Sequence, residues 1–316
     1  ISQSLRRERL RLYVSVPLRL SARHSIANRE IFWSIRNKHI PMKRFLFAIS
    51  LSAATTIAAQ NMTVKGRIVS EEGAAVEYAT IGIPGTKNGT LSGIDGMFEL
   101  TLPQECNDTI VATHVSYGDV KIPAASYRNS GEDFIVTMKP KLLKELTVYD
   151  GKRKRAKLSD GGINIAGGVI QLSTEKLGYE VGSIMKVKRI FEVEEILFST
   201  VSNNIENAKL SINIYSIDES ESNFSNVLHH PVYVEIPVSD KKHEHVITAK
   251  ESIVLAPGRY YVALKFVDGK KPAGEDGKMQ FPLFLMSSSY IRNSPVDTPE
   301  KVPVNLGLEI TGYEYR

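Results

Sequence analysis

The sequence predicts an all-β protein built of two antiparallel β-sandwiches. Three observations carry this. Apolar residues alternate with polar ones in short runs, as in Val64, Gly66 and Ile68 around Lys65 and Arg67, which is the period of a half-buried strand. The runs are punctuated by turn pairs such as Glu72-Gly73, Pro84-Gly85, Asn88-Gly89 and Asp95-Gly96. No amphipathic helix of ordinary length interrupts them.

The first sandwich is read from residue 61 to residue 149. Val64–Ile68 opens it, and Ala79, Ile81 and Ile83 form the next alternating set, stopped by Pro84-Gly85. Asn88-Gly89 is expected to form a hairpin turn through positive φ. After Asp95-Gly96, the residues Phe98, Leu100 and Leu102 share one face, and Asp108–Val115 and Asp133–Met138 add strands. The run Gly66, Ala79-Thr80-Ile81, Gly85-Thr86, Gly89-Thr90, Asp95-Gly96-Met97-Phe98, then His114-Val115-Ser116-Tyr117-Gly118, resembles the carboxypeptidase-D regulatory-like domain. The resemblance covers Met62 to Tyr149 and implies a transthyretin (prealbumin)-like, Ig-like sandwich of the kind carried by envelope proteins of the Bacteroidota. That family often places two acidic residues around the second turn. Gly93 stands where the first would be, so no metal is expected there.

The chain before this sandwich reads as targeting sequence. Residues 1–41 are Arg-rich and without period, and they are taken as an upstream mis-translated leader, with Met42 as the expected start. From Met42 a basic pair, an apolar core Phe45–Leu51 and small residues to Ala59 match a signal peptide over residues 42–59. The apolar core is too short to span a membrane as a helix. Residues 1–60 carry 11 basic and 2 acidic residues of the chain's 40 and 35, which leaves 29 and 33 and a net charge of −4 over the other 256. The basic balance therefore belongs to the leader and does not argue for a nucleic-acid partner. The expected location is exported, in the periplasm or at the cell surface.

Residues 150–168 are expected to be a basic, Gly-rich linker, with Lys152-Arg153-Lys154-Arg155 followed by Asp160-Gly161-Gly162 and Gly167-Gly168. Residues 169–316 are expected to form the second sandwich, jelly-roll-like. Its strands are read at Glu192–Thr200, at Leu210–Ile214, at Val232–Val238, at Tyr260–Phe266 and at Leu306–Ile310, separated by Pro231, Pro257-Gly258, Asp268-Gly269 and Asp276-Gly277. The run Ala208–Tyr215, with Asn226-Val227-Leu228 and Pro231–Val234, resembles the second half of Bacteroidota proteins that carry the regulatory-like domain.

Chemistry is sparse. Cys106 is the single cysteine, so no disulfide forms within the chain. His243 and His245 alternate on a strand and share a face, but no third ligand at fixed spacing joins them. Glu192, Glu194 and Glu195 are acids on a strand, without the paired placement that sugar cleavage requires. There is no G-x-S-x-G elbow, no H-E-x-x-H and no phosphate loop. No catalytic, cofactor or metal residue is assigned, and no cofactor is expected. Tyr260, Tyr261 and Tyr290 are candidates for stacking on sugar rings. Asp108-Thr109-Ile110 resembles the short O-glycosylation pattern of exported Bacteroidota proteins, at Thr109. The expectation is a non-catalytic envelope protein that binds or scaffolds, its partner an envelope protein or a polysaccharide. The alternative is a carbohydrate-binding accessory to a separate hydrolase or transporter.

Overall fold

A computed structural model describes residues 60–129, 134–141 and 151–316. The expected leader (1–41) and signal peptide (42–59) lie outside the described residues, as does the apolar stretch Leu142–Val148. The described chain is nearly all-β, its strands gathered in four sheets.

The first sandwich pairs a three-stranded sheet with a four-stranded one. Strands β1 (Asn61–Ser70), β4 (Met97–Pro103) and β7 (Phe134–Met138) are ordered β4-β1-β7, and β2 (Thr80–Gly82), β3 (Gly89–Leu91), β5 (Ile110–His114) and β6 (Tyr117–Ile122) are ordered β3-β2-β5-β6. Among the described residues one short helix, α1 (Ala124–Arg128), stands between β6 and β7. Alternation does the work the sequence suggested: Phe98, Leu100 and Leu102 of β4 point inward with Val64 and Ile68 of β1, against Ile81, Ile110 and Ala112 of the other sheet. One pairing departs from the antiparallel expectation, because β7 runs parallel to β1, Gly66 against Phe134 through Ser70 against Met138. Gly66 permits it: a Cβ there would lie 2.4 Å from the Phe134 carbonyl oxygen.

The second sandwich packs a nine-stranded sheet on a four-stranded one. The large sheet runs β12 (Ser202–Asn203), β18 (Lys278–Arg292), β10 (Glu180–Val187), β17 (Gly258–Lys270), β13 (Glu206–Ile217), β14 (Phe224–Asn226). Strand β15 (Val232–Ile236) also pairs with β13, and β9 (Ile163–Ser173) and β19 (Glu300–Asn305) pair with β18. The small sheet runs β16 (His243–Leu255), β11 (Phe191–Thr200), β20 (Glu309–Tyr315), β8 (Arg153–Ser159). Phe191, Ile196, Phe198, Leu210, Ile212, Ile214, Leu264, Phe266, Phe281 and Ile310 fill the space between.

The expected linker is corrected here. Most of residues 150–168 is strand, since β8 and the start of β9 lie within it. The basic run alternates Lys and Arg with Ala156 and Leu158, and those two side chains pack on the core while Arg155 and Lys157 reach Glu194 and Glu309 on neighbouring strands. Positive residues along an exposed edge also discourage further strand addition.

Candidate functional site: the cleft between the sandwiches

Strand β13 alternates as predicted, but both of its faces are buried. Leu210, Ile212 and Ile214 face the sandwich core, and Ser211, Asn213 and Tyr215 on the opposite face are each only 8% exposed. The first sandwich covers part of that side of the sheet, while Tyr215 is covered by Tyr261 and Phe224 of its own sandwich. Tyr78, Leu91 and Val267 make a small shared apolar cluster with Tyr233 packed against it, the rings of Tyr78 and Tyr233 meeting edge-on at 5.2 Å. The Tyr78 hydroxyl donates to Asp268 Oδ2 at 2.9 Å, and Lys265 Nζ donates to Thr80 Oγ1 at 2.7 Å. The backbone adds Gly85 N–H to the Val296 carbonyl at 2.8 Å. Tyr78 takes a positive φ of 53° to make its contact, a conformation a bulky residue adopts only when its surroundings hold it there.

Asn88-Gly89 belongs to the same seam. Neither residue has positive φ, so the pair is not the expected primed turn. Gly89 is needed for clearance instead: a Cβ there would sit 2.6 Å from Val296 Cγ2 of the second sandwich.

Where the seam does not close, a cleft of about 430 Å³ remains. Its first wall holds Tyr78, Thr80, Thr113, His114, Asp119 and Lys141, and its second holds Ser211, Asn213, Tyr215, Asn226, Tyr233, Lys265 and Arg292. Glu180, fully buried beneath, accepts from the Tyr215 hydroxyl at 2.7 Å and from Asn213 Nδ2 at 3.3 Å. Asn226 Nδ2 in turn donates to Asn213 Oδ1 at 3.0 Å. Arg292 Nε stands 3.3 Å from Glu180 Oε2 as an ion pair, yet the two are not aligned as a hydrogen bond, and each is left without one.

These surroundings shift the ionisable groups. Burial lowers the Lys265 pKa to about 8, with Arg292 adding to the shift and Glu180 opposing it. Burial also works against the Arg292 charge, but Glu180 and the neighbouring tyrosines hold its pKa above the ordinary value. Burial, then the charges of Lys141 and Lys265, lowers His114 to about 4. His114 is therefore neutral at pH 7, and its Nδ1 accepts the Ser116 amide at 3.2 Å. The cleft presents cations and neutral donors without a nucleophile aligned on a base.

The sequence-derived candidates lie elsewhere or inside. Tyr260, Tyr261 and Tyr290 are 6%, 0% and 3% exposed. Tyr260 faces the main core, while Tyr261 and Tyr290 belong to a stack with Tyr215 and Phe224. Their ring faces are covered by one another: Tyr215 stacks on Tyr261 at 5.9 Å, and Phe224 meets Tyr290 edge-on at 4.9 Å. In this arrangement they do not offer a strip to sugars, and that expectation is corrected. Tyr290 instead donates to Glu221 Oε2 at 2.6 Å, where Lys301 also arrives at 2.9 Å. Thr109 is exposed, in the turn before β5. His245 is buried against Phe198, its Nε2 3.0 Å from Thr200 Oγ1, while His243 is exposed. No group of three or more His, Cys, Asp or Glu able to hold a metal ion occurs among the described residues. Glu192 and Glu194 engage Arg153 and Arg155 at 3.7 and 3.0 Å, and Glu195 accepts from Thr311.

The cleft itself was not legible in the sequence. Its only trace was the pair of polar residues Ser211 and Asn213 between buried aliphatics, a pattern equally suited to a solvated strand face.

Residues 64–148 match the family described as the CarboxypepD_reg-like domain. No curated protein matches the chain in sequence. Among solved structures, the chain is similar to the cysteine protease and lectin-like domains of Cwp84, a surface layer associated protein of Clostridium difficile. The identity is 12% and the TM-score 0.34, over 76% of this chain and 59% of that one. It is also similar to a protein of infectious bursal disease virus, Gt strain, at 12% identity and a TM-score of 0.27, over 80% of this chain and 59% of that one. At such scores neither likeness bears on function.

Proposed function

We propose that this chain, whose residues 64–148 match the CarboxypepD_reg-like domain, is a non-catalytic, exported binding or scaffolding protein of a cell envelope. One observation carries the reading: two sandwiches share a seam of apolar, hydrogen-bonded and backbone contacts and leave between them a polar cleft built from both. A concave site at a domain boundary is the ordinary place for ligand recognition. The regulatory-like sandwich then serves as a fixed wall, not as a swinging spacer. Its partner is an envelope protein or a polysaccharide.

Fractionation of the native cells, followed by affinity capture with the tagged chain, tests this. The chain should be recovered with the envelope and should enrich one envelope protein or one glycan specifically. Recovery in the cytoplasm would overturn the reading.

The carbohydrate-binding alternative draws on the lining of the cleft. Hydroxyl and amide groups of Thr113, Ser211, Asn213 and Asn226 stand beside the rings of Tyr233 and Phe224, the mixture of polar partners and aromatic surface that a sugar ring uses.

A further inference from the structure

We propose that the cleft between the sandwiches binds the carboxylate-bearing sugar of an acidic polysaccharide, a uronate, with Lys265 receiving the carboxylate and Ser211, Asn226 and Tyr233 contacting the ring. This deepens the reading of the chain as a binding protein and rests on it.

Lys265 is the buried cation of the cleft. Its ammonium is buried on β17, and among the described residues it makes one hydrogen bond, to Thr80 Oγ1 at 2.7 Å. An ammonium has three donors, so two remain at the edge of the cleft. Leaving a charged donor short of partners away from water costs far more than a satisfied bond returns. A lysine with only structural duties at this place would be better replaced by an apolar side chain. Its cross-strand neighbours do not complete it: Ser211 and Glu180 lie opposite on β13 and β10, but Glu180 is taken up by Tyr215, Asn213 and Arg292.

The charge around the cleft points the same way. Arg292 is balanced by Glu180 at 3.3 Å, yet that pair is misaligned, and the guanidinium lies 5.3 Å from the Tyr215 ring centroid. Lys141 at the exposed mouth spends one donor on the His114 carbonyl at 3.0 Å. Against these cations the lining holds one carboxylate, Asp119, which is exposed. His114 contributes no charge near neutrality. Glu180 is one buried carboxylate shared between two cations, Arg292 and Lys265, so a positive charge remains in excess at Lys265, and its complement is an anion.

The remaining lining distinguishes among anions. A cleft of about 430 Å³ walled by hydroxyls, amides and tyrosines is larger than a bare carboxylate or phosphate requires. Lysine reaches either anion as a point charge, but tight phosphate sites add bidentate arginine forks or clustered backbone N–H groups. Here the one arginine is engaged by Glu180. A neutral sugar would match the hydroxyls and leave Lys265 unsatisfied. A ring bearing one carboxylate matches both.

The test is calorimetric titration of the whole chain with D-glucuronate, D-glucose, acetate and inorganic phosphate at low salt. Glucuronate should bind about tenfold tighter than glucose, acetate or phosphate. Lys265→Met should weaken glucuronate by about tenfold or more without changing the glucose value. Because a buried substitution can disturb folding, Lys141→Glu at the exposed mouth is the second variant; it should melt like the parent and bind glucuronate several-fold more weakly. Phosphate or acetate binding as tightly as glucuronate would overturn the proposal, as would equal binding of glucose and glucuronate. Unchanged affinity in well-folded Lys265→Met and Lys141→Glu would do the same. Those outcomes leave the envelope-scaffold reading to the capture experiment, which does not depend on this cleft.

Discussion

Lys265 links the ionisation of one side chain to the stability of the fold. Its pKa is about 8 in the folded chain against the ordinary 10.5, and the cause is burial. Between those values the unfolded chain holds a proton that the folded one has lost, so stability rises with pH across that window. Below pH 8 the full cost of charging a buried amine remains, on the order of 3 kcal/mol. Above pH 10 the sign reverses, because buried Tyr215 and Tyr261 have pKa values held well above the ordinary value, by burial first and then by Glu180. The unfolded chain then loses tyrosine protons that the folded one keeps. Urea unfolding of the parent should therefore show stability climbing from pH 8 to about 10 and falling beyond. Lys265→Met should lack the climb and keep the fall; a parallel climb in that variant would assign it to other groups. The tyrosines also mark the limit of sequence reading at this scale. Tyr260 and Tyr261 sit on opposite faces of one strand, as alternation requires, and both are buried because the sheet is covered on both sides. Alternation says which residues share a face, and only the fold says what covers it, which for Tyr261 is Tyr215, Phe224 and Tyr290 of its own sandwich.

At the scale of elements, most strands of the first sandwich and the central strands of the second were legible, since their alternation survives in the burial of β4 and β11, while β13 alternates in sequence but is buried on both faces. The misses have local causes. Strand β18 carries Pro282 and three consecutive serines, and its pairing with β9 shifts register between Pro282 and Phe284; proline has no N–H to give a ladder. Strand β8 hid behind its charges. In β11, Val193 and Ile196 are both buried although three apart, because the pairing with β16 and β20 shifts between Val193 and Glu195. Close backbone approach gives a sharper test than any strand boundary. A Cβ on Gly182 would lie 2.0 Å from the Val262 carbonyl oxygen in the pairing of β10 with β17. Gly182→Ala should cost about 3 kcal/mol or more in urea unfolding. Arg155→Ala on β8 removes a pair between an exposed arginine and the half-buried Glu194 at 3.0 Å and should cost about 1 kcal/mol. A reversal of that order would mean the ladder relaxes far more easily than its geometry implies.

For the whole molecule, the two sandwiches are joined by Tyr78–Asp268, Lys265–Thr80, the Gly85–Val296 backbone bond and the cluster around Val267. Calorimetry should record one unfolding transition for both. Val296→Asp places a charge against Gly82 and Gly89 and should split that transition in two; a split already present in the parent would mean the seam is weaker than either core. Strand β20 carries a different consequence. It lies between β11 and β8, so it is an inner member of the small sheet, although β8 ends at Ser159 and β20 begins at Glu309, roughly 150 residues later. Through most of synthesis β8 has no strand to lie against, and its arginines wait beside an empty place. Timing is thus written into the sheet: the second sandwich cannot be finished in instalments, and a ribosome stalled before Glu309 would release a half-built sheet that quality control can recognise by its open edge.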